Sequence, residues 1–66
     1  MSIAKTIEIT ASSEKSFDDA IRLGVAKASE TLDHITGAWV MDQSVAVDKG
    51  KVTAYSVRMK LTFVLK

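Results

Sequence analysis

The sequence predicts an α+β fold, a βαββ chain whose three-stranded antiparallel sheet wraps around one helix. Three observations predict it. The chain opens on a short run of period-two alternation. A single apolar stripe at spacings of three and four follows, and two long alternating runs then flank a short polar loop containing Gly50.

From Ile3 to Thr10 the residues alternate. Ile3, Ile7 and Ile9 point one way with Lys5, and Thr6, Glu8 and Thr10 point the other, as in a half-buried strand. The turn-rich Ala11-Ser12-Ser13 leads into a helix. Phe17, Ile21, Val25, Ala28 and Leu32 place one apolar stripe along it. Ser16 with Asp19 three positions later has the form of a capping box, with Ser13 as the competing cap. Asp18 and Asp19 suit the positive end of the helix dipole, which accounts for this carboxylate pair without a catalytic role. The helix is predicted to end near Asp33-His34, where His34 reads as a solvated C-terminal residue.

Thr36 to Val47 and Val52 to Lys66 read as two long strands joined by Asp48-Lys49-Gly50-Lys51, a hairpin signal. Both exceed the usual strand length of about five or six residues, so they are expected to coil around the helix. The chain has no proline to interrupt their ladders. If Asp48 sits opposite Lys51, Val40 faces Met59, Ala38 faces Leu61 and Ser44 faces Tyr55. On the other side Trp39 then faces Lys60, Met41 faces Arg58 and Gln43 faces Ser56.

These pairings give the sheet two unequal faces. Tyr55, Val57, Met59, Leu61, Phe63 and Leu65 form an unbroken apolar row that suits the helix stripe. One helix covers one face. The second carries Trp39, Met41, Val45, Val47, Val52, Ala54 and Val64, mixed with Gln43, Ser56, Arg58, Lys60 and Thr62. A contiguous exposed patch of this kind marks an interaction surface. Lys60 opposite Trp39 also has the arrangement of a cation–π pair.

Composition narrows what such a chain does. Its 66 residues form a single domain, 1–66, too short to bury a large core. With no cysteine and one histidine, neither disulfides nor a Cys/His zinc cluster within one chain can reinforce it. Assembly of several copies is the remaining supplement, and it would also cover the second sheet face. Lys+Arg total 9 and Asp+Glu 8, interspersed along the chain, which gives no signature of nucleic-acid binding. The opening MSIAKTIEIT alternates, unlike a signal peptide, and nothing approaches the roughly 18 apolar residues of a membrane span. A cytoplasmic protein is expected.

Catalytic chemistry finds no support in the residues. There is no Cys, His34 belongs to no nucleophile motif with Ser, and Gly24, Gly37 and Gly50 are too scattered for a phosphate loop. A binding role fits better. Trp39 offers a stacking surface, with Gly37 leaving a slot beside it. Arg58 and Lys60 suit an anionic group, and Gln43 or Ser56 suits polar recognition. Packing at a subunit contact is the other reading of Trp39. Asp42 is either a cross-strand or inter-subunit hydrogen-bonding residue or a metal ligand. One carboxylate cannot hold a hard cation alone, but symmetry would bring several copies together.

Taken in order, the first strand, Ser-Ser-Glu-Lys-Ser-Phe-Asp-Asp-Ala-Ile, Ala-Ser-Glu-Thr-Leu, Trp-Val-Met-Asp-Gln and Tyr-Ser-Val-Arg-Met-Lys-Leu-Thr-Phe resemble the dodecin family over essentially the whole chain. The resemblance implies a βαββ protomer whose sheet wraps its helix, copies of which build a hollow dodecameric shell. It implies binding of flavin (riboflavin, FMN or FAD), stacked in pairs between tryptophans near two-fold axes and stored or sequestered without turnover. In that pattern the stacking Trp corresponds to Gly37, with Trp39 two positions later, and the ring-binding Gln corresponds to Ser56. Asp42 and Gln43 match the Asp-Gln of some members. Two residues along a strand span roughly 6.6 Å, so Trp39 shares the face of position 37 but not its place.

Overall fold

The computed structural model describes residues 3–65; Met1, Ser2 and Lys66, the last position of the predicted final strand, lie outside them. The chain runs β1 (Ile3–Ser13), α1 (Phe17–Ala28), β2 (Ile35–Asp48) and β3 (Lys51–Leu65). Sheet order is β1-β3-β2, with both pairings antiparallel. The last strand is therefore the central one. That placement brings β1 and β2 side chains together across β3.

β1 runs three residues beyond the predicted Thr10, because Ala11, Ser12 and Ser13 keep pairing with Val57, Ser56 and Tyr55. Ser16 is the N-cap, accepting the Asp19 backbone N–H at 3.0 Å. Ser13, the competing cap, has a different task. Its buried hydroxyl donates to Asp19 Oδ2 at 2.5 Å and accepts the Lys15 backbone N–H at 2.9 Å. It ties the end of β1 to the start of α1.

The helix stops at Ala28, about a turn before the predicted end. Ser29 Oγ donates to the Val25 carbonyl at 2.8 Å, and the Glu30 and Thr31 N–H groups reach back three residues to Lys27 and Ala28. Such tightening closes a helix end and satisfies its last carbonyls. His34 is consequently not a helix terminus. It sits in the left-handed region at φ 62, and its carbonyl accepts the Val64 N–H at 3.1 Å, docking the start of β2 on β3.

At the hairpin tip Lys49 and Gly50 take φ 51 and 78, the pair of left-handed residues a two-residue turn requires. Asp48 pairs with Lys51 and Val47 with Val52, as predicted. Further down, Ala38, Trp39 and Val40 also meet their predicted partners Leu61, Lys60 and Met59. Between these two stretches the register is shifted by one residue. A bulge at Met41 and a second at Thr53 bracket the shift, and a third lies at Thr36. Asp42, rather than Met41, faces Arg58. Ser44 faces Ser56, and Gln43 and Val45 face Val57 and Tyr55.

The core lies between α1 and the central strand. Ala20, Val57, Met59 and Leu61 are wholly buried, ringed by Ile7, Ile9, Ala11, Phe17, Ile21, Val25, Ala28, Ile35 and Val40. Small residues let the helix approach closely: a Cβ on Gly24 would lie 2.6 Å from Met59 Cε and 2.9 Å from Ala11 Cβ. Phe17 meets Tyr55 edge-on at 5.2 Å.

The helix packs chiefly on β1 and β3, and in β2 just Ile35 and Val40 are partly covered. The molecule measures 52 × 20 × 13 Å, with the long hairpin projecting past the helix. Val45, Val47 and Val52 stand exposed there. Among the described residues no helix is long and apolar enough to cross a membrane.

Candidate functional site

The face of the sheet turned away from α1 is built in cross-strand rows, because directly opposed residues point the same way. Four successive rows define it. They read Thr6–Thr62–Gly37, Glu8–Lys60–Trp39, Thr10–Arg58–Asp42 and Ser12–Ser56–Ser44, each running from β1 through β3 to β2. Rows are spaced by roughly 6.6 Å along the strands.

Trp39 is the most open large apolar side chain of this face, at 74% exposure. On one side of it, along β2, a Cβ added at Gly37 would meet nothing within 4 Å, so the predicted slot is present. On the other side Arg58 Nη2 donates to Asp42 Oδ2 at 2.6 Å, joining the central strand to β2. Lys60 faces Trp39 in register, though the described residues show no cation–π contact. The Ser12 and Ser56 hydroxyls are hydrogen-bonded at 2.7 Å, with Ser44 across from Ser56.

Of the residues singled out from the sequence, Gly37, Trp39, Asp42, Ser56, Arg58 and Lys60 come together on this face. Gln43 does not. The bulge at Met41 turns it to the helix side of the sheet, opposite Val57, and Val45 turns with it. An extra residue reverses the facing of everything between it and the next bulge. Asp42 moves the other way, onto this face and directly against Arg58, where it makes the cross-strand hydrogen bond that was one reading of it.

Sequence reasoning did not assign Glu8, Thr10, Ser12 or Ser44 to this face. The first two were legible as the polar side of β1. Their neighbours were not, because alternation within one strand does not say which strand lies beside it. Asp42 has Arg58 as its only ion-pair partner among the described residues, and no cluster of three or more His, Cys, Asp or Glu suited to a metal occurs there.

Residues 3–66 match the model of the family described as Dodecin. The chain is 34% identical to the calcium dodecin of Mycobacterium tuberculosis over 67 residues, covering all of this chain and 93% of that protein. The crystal structure of that calcium-chelating protein, with a novel calcium-binding site, superposes with a TM-score of 0.84 at 31% identity, covering 97% and 91% of the two chains. A variant of the T. thermophilus dodecin gives 0.95 at 26% identity, covering 100% and 98%. The dodecin from Streptomyces davaonensis gives 0.94 at 28%, covering 98% and 96%. By its whole-length match and its βαββ architecture, this chain belongs to the dodecin family.

Proposed function

We propose that copies of this chain, each acting as one unit over residues 1–66, assemble in the cytoplasm into a hollow dodecameric shell. The shell binds, stores or sequesters a planar flavin-type ligand without turning it over. The carrying observation is the bare indole of Trp39, open to solvent beside the empty slot at Gly37. A planar ring laid on that indole removes apolar surface from water on both partners. The Ser12–Ser56 hydroxyl pair offers polar recognition at the site's edge, while Arg58 and Lys60 flank the ring. Nucleic acid and membrane play no part in this reading, and no acid–base pair or nucleophile constellation supports an enzyme.

The test is titration of the purified assembly with riboflavin, FMN and FAD, following quenching of flavin fluorescence. Quenching that saturates at micromolar protein, and is lost in Trp39→Ala with the assembly intact, is the expected result. Unchanged fluorescence with all three flavins contradicts it.

A second reading has one specific support, the 34% identity to a protein named calcium dodecin. In it, Asp42 carboxylates from several copies converge on a cation. There the cation would compete with Arg58, whose Nη2 already meets Asp42 Oδ2 at 2.6 Å. Calorimetric titration with Ca²⁺, repeated on Asp42→Asn, separates the readings. Heat that saturates in the parent protein and vanishes in the variant supports the ion site, and no saturable heat in the parent contradicts it.

A further inference from the structure

We infer that the Trp39 face selects an uncharged planar ring over its phosphorylated counterpart, and that Glu8 and Asp42 are the residues that set this preference. The inference rests on the ligand-binding reading above and deepens it by naming the chemical class of the ligand.

The face holds two cations, and each has a carboxylate opposite it across the strands, although among the described residues only Arg58 and Asp42 are in contact. Arg58 donates to Asp42 at 2.6 Å, so its guanidinium is already engaged. Lys60 stands between Trp39 on β2 and Glu8 on β1, in the same row. Directly opposed side chains have Cβ atoms about 4.5–5.5 Å apart, close enough for opposite charges to attract. The other members of the four rows, Thr6, Thr62, Gly37, Thr10, Ser12, Ser56 and Ser44, carry no charge. Two positive and two negative groups therefore cancel around the indole.

A phosphate approaching either cation also approaches that cation's carboxylate. It gains attraction to one and repulsion from the other at similar distances, so little net attraction remains. Displacing Asp42 from Arg58 would leave that carboxylate without its partner, which sets a further cost against the anion. An uncharged ring meets neither difficulty.

β1 supplies half of this effect although its residues lie a full strand away from Trp39. Glu8 lies in the row of Trp39 but on the far side of Lys60. It acts through Lys60 and is a positioning residue for charge, not a contact.

Riboflavin and FMN differ by one phosphate and are the probes. Each is titrated into the intact assemblies of the parent protein, Glu8→Gln and Asp42→Asn, at low and high salt, with flavin fluorescence as the readout. The parent protein is expected to bind riboflavin at least as tightly as FMN, its riboflavin affinity changing less than about twofold with salt. Each variant removes one negative charge from the face and is expected to raise the FMN-to-riboflavin affinity ratio by about fivefold to tenfold at low salt, a gain that shrinks as salt screens it. A parent protein favouring FMN by tenfold or more overturns the inference while leaving the flavin reading intact. So does an affinity ratio that neither variant moves. Failure of both flavins to bind removes the underlying reading and this inference with it.

Discussion

Adding one methyl group at Gly24 measures how closely the helix lies on the sheet. Ala is the better helix former in the middle of α1, by about 0.5–1 kcal/mol, so propensity alone predicts that Gly24→Ala stabilises. The packing predicts the reverse. The new Cβ would lie 2.6 Å from Met59 Cε, 2.9 Å from Ala11 Cβ and 3.4 Å from Ile9 Cδ1. Met59 can turn its terminal methyl, but it is wholly buried between Val57 and Leu61 and has little room to do so. Ala11 has no torsion to turn, since its Cβ is fixed to the β1 backbone, so the helix must lift by several tenths of an ångström. Overpacking of this kind costs about 1–3 kcal/mol. Set against the propensity gain, the net loss lies within about 0–2.5 kcal/mol, and the fixed Ala11 Cβ places it in the upper part of that range, about 1–2 kcal/mol. For a domain of this size that lowers Tm by about 5–15 °C. Thermal unfolding followed by circular dichroism, at one fixed protein concentration, reads it. Gly37→Ala is the control, because its Cβ would meet nothing within 4 Å and should leave Tm unchanged or slightly raised. A Gly24→Ala protein as stable as the parent, or more so, refutes the close approach.

Two further outcomes follow from the same structure. Ser16→Ala removes the acceptor for the Asp19 N–H and should cost about 1 kcal/mol in denaturant unfolding, without touching the ligand face. The Arg58–Asp42 pair is about half exposed on each side, so a double-mutant cycle should assign it less than about 1 kcal/mol of stability, decreasing with salt.

Much of the fold was legible because each element carried its own signal. The period-two run at Ile3 to Thr10, the stripe from Phe17 to Ala28 and the polar tip at Lys49-Gly50 all became the elements they suggested. The helix end was overestimated because Leu32 continues the stripe in sequence. Ser29 and Thr31 nonetheless close the last turn by bonding back to Val25 and Ala28. The apolar stripe also pointed past the residues that pack most deeply. Ala20 and Gly24 lie buried because they are small, not because they are strongly apolar.

The ligand face was legible in part. Trp39, Lys60 and Gly37 lie below the Met41 bulge, where the register counted from the turn holds again. Asp42 and Gln43 lie between bulges, and there counting from the turn assigns the wrong faces. Neither Met41 nor Thr53 is a glycine or carries another local mark of a bulge, so nothing in the chain announced the shift. The contribution of β1 was hidden for a different reason. That Glu8 stands beside Lys60 depends on β3 being the central strand, a property of the whole sheet.

The central claim is that one helix leaves β2 and the Trp39 face uncovered, so the protomer is completed by copies of itself. Sedimentation velocity on the ligand-free protein at low micromolar concentration tests it most directly. The expected result is a single large species near the mass of a dodecamer, with no detectable 7.2 kDa component. A folded 7.2 kDa monomer as the main species, with Trp39 emitting as a solvent-exposed indole, contradicts it.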